Sequence, residues 1–338
     1  MMAAVAPADR ERWVVVGGGL LATLVVIGVA APADATGAAF PYPPHARLLM
    51  LPFGAMPYGA AAAIWSALNL FCIYRAAELI HPRRDLALFA ALSPAALTVL
   101  AFGYAGGFLA LLSAVVIVQG AERPVRGGLC LALMTVQPQL AFLFGMMLLV
   151  LGYRRAVVMA VPWTLALLAA SVITFGHEPW IAFLQSGAPQ AAAPLSLEAA
   201  AGMAGLPGWA GQVLQWSFGF AVLAGAALVF LRRGPDPRSI ALLLLAVALA
   251  LPGASSNVFV VATPALAAAL FAESQNDERP FLPFVPALLI WSMPLLAVSF
   301  GALAWPVAAP LAAGILIYAL VQGRMAPMRA LAGQWRAS

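Results

Sequence analysis

Ionisable side chains are scarce in this chain of 338 residues, where 9% are charged and 64% apolar, so each can be weighed singly. Asp34, His45 and Arg47 share one short stretch, with Tyr42-Pro43-Pro44 between them. Proline restricts the backbone, so such a stretch can hold a carboxylate base and a cationic phosphate clamp together at low entropic cost. The same residues also read as a solvated surface loop with one acid and one base. His177, Glu178 and Glu198 form a second, looser set, and adjacent charges after a helix end are commonly only solvated. Gln137, Gln139 and Asn257 lie within apolar blocks, where a polar group must find a partner; hydrogen bonds between helices are the ordinary solution. Cys72 and Cys130 show neither CxxC nor histidine spacing, so neither a disulfide framework nor a zinc site is indicated. Nothing supports a Ser-His-Asp constellation, and Gly17-Gly18-Gly19 lies inside an apolar run with no preceding strand, unlike a dinucleotide fingerprint.

The elements that must position these residues follow from hydropathy. A soluble domain carries about 25% charged residues, far more than this chain, which excludes a soluble enzyme. The 17 basic residues are all arginine, scattered in pairs between apolar blocks, which excludes a nucleic-acid footprint. Apolar runs at 13–31, 58–80, 86–101, 105–120, 127–136, 139–152, 156–176, 212–231, 239–251, 258–271, 281–300 and 306–322 predict an all-α, polytopic transmembrane bundle of about 10–12 spans, forming one integral membrane domain over residues 1–338. The first run is followed by Ala31-Pro32-Ala33, which can be read as a signal-peptide cleavage site, but at 19 residues it is longer than a secretory h-region and reads rather as an uncleaved span.

Arginine placement sets the orientation, because positive charge collects on the cytoplasmic side. With a cytoplasmic N-terminus, Arg83/Arg84, Arg123/Arg126, Arg154/Arg155, Arg232/Arg233/Arg238, Arg279 and Arg324/Arg329/Arg336 all fall inside, Arg75 snorkels inward, and only Arg47 lands outside. Both termini are then cytoplasmic, in a plasma (inner) membrane of bacterial type. The first outer loop is 33–47 and the long outer loop is 177–210, with further outer breaks at Phe102–Gly107, Gln137–Gln139, 252–257 and near Trp305. Trp180, Trp209, Trp216 and Trp305 read as headgroup anchors on that side. Residues 127–136 would span only about 15 Å as a helix, half of a hydrocarbon core. Segments so short are tolerated where protein or a cavity satisfies their free peptide groups. Breaks at Pro94, Pro138 and Pro252 therefore predict helix ends converging beneath the outer surface.

The ordered elements Phe40-Pro41-Tyr42-Pro43-Pro44, Leu51-Pro52-Phe53-Gly54-Ala55-Met56-Pro57, Trp65, Leu92-Ser93-Pro94, Phe102-Gly103-Tyr104, Gly127-Gly128, Val136-Gln137-Pro138-Gln139 and Arg154-Arg155 resemble glycosyltransferase family 87. The resemblance covers residues 40–185 and implies the C-type glycosyltransferase fold. It implies a hexosyltransferase that moves a hexose, often mannose, from a polyprenyl-phosphate carrier to an extracytoplasmic lipid or glycan acceptor. An acid in the first outer loop would serve as general base, a role that falls to Asp34, while Arg47 and His45 would face the phosphate. Tyr42, Tyr104, Gln137 and His177 complete the substrate-binding set. Membrane lipid would surround the carrier groove, and no metal or other cofactor is called for.

Departures from the family pattern define the competing readings. Seven residues separate Asp34 from Tyr42, a contracted loop. Gly103-Tyr104 stands where relatives have Gly-Gln, Gln137-Pro138 where they have Lys-Pro, and Ser256-Asn257 where a tyrosine-aspartate pair is common. Loss of the lysine removes a charged phosphate partner. A catalytically inactive relative that binds polyprenyl lipid or a partner transferase is the alternative. A transporter is a third reading, resting on broken helices alone.

Overall fold

The computed structural model describes residues 42–186, 196–252, 256–271 and 291–292. Asp34, the run at 13–31, nearly all of those at 281–300 and 306–322, Trp305, and the arginines beyond Arg238 lie outside the described residues. Within them the chain is helical, with no strand. After the turns Pro44–Ala46, Arg47–Met50 and Leu51–Phe53 come α1 (Tyr58–Ile80), α2 (Arg84–Ala91), α3 (Pro94–Phe102), α4 (Gly106–Gln119), α5 (Pro124–Leu133), α6 (Pro138–Val150), α7 (Arg154–Phe175), α8 (Glu178–Ser186), α9 (Leu197–Met203), α10 (Gly208–Arg233), α11 (Pro237–Ala250), α12 (Ser256–Phe259) and α13 (Thr263–Phe271).

Proline opens α3, α5, α6 and α11 at their first positions, where the missing N–H costs nothing and the ring presets the helical dihedral. Side-chain caps reinforce three starts. Ser93 Oγ accepts from the Ala96 amide at 3.1 Å, Ser196 Oγ from Ala199 at 3.2 Å, and Asp236 Oδ1 from Arg238 and Ser239 at 2.8 and 3.1 Å. The Ser93-Pro94 pair splits the apolar run 86–101 into α2 and α3, so this run is two short helices rather than one span. The stretch 177–210, expected as a long loop, contains α8 and α9 and the start of α10.

Three helices, Gly59–Ile80, Arg154–Phe175 and Gly208–Arg233, are long and apolar enough to cross a membrane. They turn large apolar side chains outward, among them Phe71, Ile173 and Phe220, the last two at 85% and 70% exposure. A surface of that kind is stable against lipid tails, not water. At the centre lies α11, buried on every face from Ser239 to Ala250, as expected of a helix apolar all round. It shares a core with Leu140, Phe144 and Leu148 of α6, Leu109 and Val116 of α4, and Val222, Ala226 and Phe230 of α10.

Small residues let neighbouring helices touch. A Cβ at Gly128 of α5 would lie 2.6 Å from Met159 of α7, and one at Gly127 would lie 3.2 Å from the Ala156 Cβ, so α5 and α7 run in parallel. Helices α1 and α4 are also parallel. Asn69 meets Gly107 at one level, and Ala76 packs with Ala110 and Ala114 further along. In contrast, α10 and α11 are antiparallel, with Gly219 against Ala250.

These directions give the bundle two chemically different ends. The α1–α2, α4–α5, α6–α7 and α10–α11 connections carry Arg83, Arg84, Arg123, Arg126, Arg154, Arg155, Arg232, Arg233 and Arg238. At that end Arg83 pairs with Asp85, its Nε donating at 3.1 Å, and Arg75 pairs with Glu78 of its own helix. The opposite end collects the Tyr42–Pro57 stretch and the breaks at Gly103–Ala105 and Thr135–Gln137. Among the described residues Arg47 is the one arginine on that side.

Candidate active site

The first turn of the described chain is wedged among three breaks. Pro43, Pro44, His45 and Ala46 are all buried, although they belong to a loop. The Tyr42 hydroxyl accepts from the Ala105 amide at 3.1 Å, which ties this loop to the α3–α4 turn. Three residues on, His45 Nε2 lies 3.0 Å from Thr135 Oγ1, at the 3₁₀ turn Met134–Val136 that ends the short α5. The same imidazole lies on the indole of Trp180 from α8, with centroids 5.6 Å apart and planes 5° from parallel. Trp180 is itself held, because its Nε1 donates to Ser171 Oγ of α7 at 2.7 Å and Phe183 packs edge-on against it.

A second layer supports the α3–α4 turn. Gly103 ends α3 at φ 66°, a left-handed conformation that suits a residue without Cβ. Its carbonyl accepts from Trp65 Nε1 at 3.0 Å. Asn69 Oδ1 accepts from the amides of Gly107 and Phe108 at 3.1 and 3.3 Å, and its Nδ2 donates to the Trp65 carbonyl at 3.0 Å. Asn69 thus caps α4 from a neighbouring helix, and the peptide groups freed at the break have partners.

Each expected site residue from Tyr42 onward has a definite place. His45 is 5% exposed, and its Nδ1 is buried without a hydrogen-bond partner. Burial lowers its pKa below the ordinary 6.5, against an opposing contribution from the Thr135 backbone, so the ring is neutral near pH 7. Tyr42 and Tyr104 are half-buried on either side of the loop-to-turn contact. Gln137, two residues beyond Thr135, is half-buried, and its Oε1 is a second buried acceptor without a partner. Arg47 is exposed and begins the turn that follows His45. His177 is exposed as well, and its carbonyl accepts from the amides of Trp180 and Ile181 at 3.0 and 3.1 Å. The fold therefore brings Tyr42, His45, Tyr104, Gln137 and the His177 backbone to one region. Asp34 lies outside the described residues.

Sequence reasoning missed Thr135, Ser171 and Asn69, named Trp65 only among the elements that carry the resemblance, and read Trp180 as a headgroup anchor. Instead Trp180 is half-buried under His45, whereas Trp209 and Trp216 are exposed at 71% and 47%. Gln139, expected to need an interior partner, is exposed. The side chain of Asn257 is outside the description.

The region is one of hydrogen-bonding and aromatic groups, with Arg47 as its described guanidinium. Among the described residues no three His, Cys, Asp or Glu side chains are grouped to hold a metal ion. The family model for Glycosyltransferase family 87 matches residues 40–264. That span begins just before Tyr42 and takes in every contact described above. No curated protein and no solved structure matches the chain. The chain belongs to glycosyltransferase family 87, whose members are membrane glycosyltransferases.

Proposed function

We propose that this protein transfers a hexose, mannose being the first to test, from a polyprenyl-phosphate carrier to a lipid or glycan acceptor on the extracytoplasmic face of the inner membrane. The observation that carries the reading is the convergence of the Tyr42–Arg47 turn with Thr135 and Trp180 at the end of the bundle remote from the arginine-rich turns. Positive charge collects on the cytoplasmic side, which supports an extracytoplasmic position for this convergence.

In the proposed reaction the acceptor hydroxyl gives its proton to the Asp34 carboxylate while its oxygen attacks the anomeric carbon. The bond from that carbon to the phosphate oxygen breaks, and polyprenyl phosphate leaves with the electron pair. Arg47 is the group suited to the leaving phosphate, through a charge-assisted hydrogen bond. His45 enters as a neutral hydrogen-bonding group, because its burial disfavours the imidazolium. Tyr42, Tyr104, Gln137 and His177 would line the path of sugar and carrier.

A second reading, an inactive relative that binds polyprenyl lipid or a partner transferase, draws on the neutrality of Gln137 and His45. Membranes containing the wild-type protein, polyprenyl-phosphate hexose labelled in the sugar, and native lipid acceptors separate the two. Label appearing in an acceptor product supports transfer. Retention of labelled carrier without any product supports the second reading.

A further inference from the structure

The hydrogen bonds around His45 determine which of its nitrogens carries the proton. A threonine hydroxyl has one proton and can also accept. Thr135 Oγ1 donates that proton to the carbonyl of Ala132, one turn back in its helix. The 3.0 Å contact between Thr135 Oγ1 and His45 Nε2 must therefore have the ring nitrogen as donor. Burial keeps the ring neutral, so Nδ1 carries a lone pair. That atom is buried and has no hydrogen-bond partner.

A buried acceptor left unsatisfied costs stability, and such an atom in a native fold calls for an explanation. Here the ring cannot turn away cheaply. Trp180 covers one face of it, and Trp180 is anchored by Ser171. The adjacent Pro43 and Pro44 restrict the backbone that carries it. Gln137 Oε1, two residues beyond Thr135, is a second buried acceptor without a partner. Two acceptors cannot satisfy each other, and a phosphate dianion, which also only accepts, satisfies neither. A hydroxyl does.

We propose that His45 Nδ1 is a preset hydrogen-bond acceptor for a sugar hydroxyl, held by Thr135 and Trp180, so that this site recognises the hexose while the phosphate is recognised elsewhere. The proposal rests on the glycosyltransferase reading and names the part of the substrate that this site selects. It assigns His45 to sugar selection and withdraws it from phosphate binding.

The test uses the full chain in detergent micelles and two probes, polyprenyl phosphate and the same carrier bearing mannose. Wild type is expected to bind the mannosylated carrier more tightly than the bare one. The His45→Phe variant keeps a ring on Trp180 and is expected to lose about three- to tenfold of that preference, the worth of one neutral hydrogen bond. The His45→Asn variant, whose amide reaches the level of Nδ1, is expected to restore part of it, and His45→Gln is not. Nitrogen NMR of labelled histidine needs no variant, since the chain has only three histidines. The His45 spectrum should show a proton on Nε2 and none on Nδ1, and the Nδ1 signal should move with the mannosylated carrier alone.

A proton on Nδ1, or a preference for mannose that survives His45→Phe, overturns the proposal. Equal wild-type affinity for the two carriers also overturns it but leaves lipid binding standing. Wild type that binds neither carrier overturns the transferase reading and this proposal together.

Discussion

The imidazole of His45 and the indole of Trp180 lie face to face, 5.6 Å between centroids, although one belongs to the first described turn and the other to α8, more than a hundred residues later. The contact joins the start of the family match to the segment after α7. It makes Trp180 a floor for the site. An aromatic pair contributes about 0.5–1.5 kcal/mol beyond the area it buries. Trp180→Ala loses that pair and the bond to Ser171 and should lower stability by about 1–3 kcal/mol and depress hexose transfer, whereas Trp180→Phe should retain most of the stacking and lose only the bond to Ser171. Thermal unfolding of the purified variants in detergent checks the order, with Trp180→Ala below Trp180→Phe below wild type.

Acid should destabilise the fold through two histidines, one at each end of the bundle. The folded state holds the His45 pKa below its ordinary 6.5, so the unfolded chain binds the proton more readily. Its contribution to stability is fully present above pH 6.5 and is lost as the pH falls through the folded value. His81, in the α1–α2 connection, is lowered by burial and by the Arg83 charge and acts in the same direction. Unfolding temperature should fall between pH 7 and pH 5, and His45→Phe should reduce that fall while His81 maintains the remainder. An identical pH dependence in the variant would contradict this assignment.

The α1–α4 contact leaves no room for a side chain at Gly107. A Cβ there would lie 2.4 Å from the Asn69 carbonyl oxygen, a backbone atom that cannot swing aside. Gly107→Ala is expected to cost about 1–3 kcal/mol, the usual range for overpacking. Asn69→Leu leaves the Gly107 and Phe108 amides without their acceptor and should cost a similar amount, about 1–3 kcal/mol. Combined, the two should cost less than their sum, because they disturb one contact. Unfolding of the single and double variants measures the shortfall.

Arg47 is exposed, so its replacement should leave the fold intact. Arg47→Ala is expected to slow hexose transfer by roughly ten- to a hundredfold, the worth of one hydrogen bond to a charged group. Arg47→Lys should recover part of the rate, since charge is kept and the planar fork is lost. Equal rates in all three proteins would remove Arg47 from phosphate binding.

Much of the frame was legible because proline and arginine leave unambiguous physical marks. Pro94 and Pro138 remove backbone donors and stand at helix starts, and α11 ends at Ala250 ahead of Pro252. The described arginine pairs lie together at one end of the bundle. The gathering of Tyr42, His45, Tyr104 and Gln137 was legible as a set of breaks expected to meet. What escaped was pairing across distance. Trp180 looks like any interfacial tryptophan until Ser171 and His45 are seen around it, and Thr135 looks like one more small polar residue on an apolar helix. Hydropathy alone also merged α2 with α3, because Leu92-Ser93 is too short an interruption to lower an average. Asn69 gave no local sign of capping α4, since its partners are 38 and 39 residues away.

Asp34 carries the central claim. Hexose transfer from polyprenyl-phosphate mannose should be measured in membranes holding equal amounts of wild type and Asp34→Asn. With the carboxylate as general base, the variant should lose at least about a hundredfold in rate while its unfolding temperature stays the same. A variant that transfers hexose as fast as wild type would contradict the account.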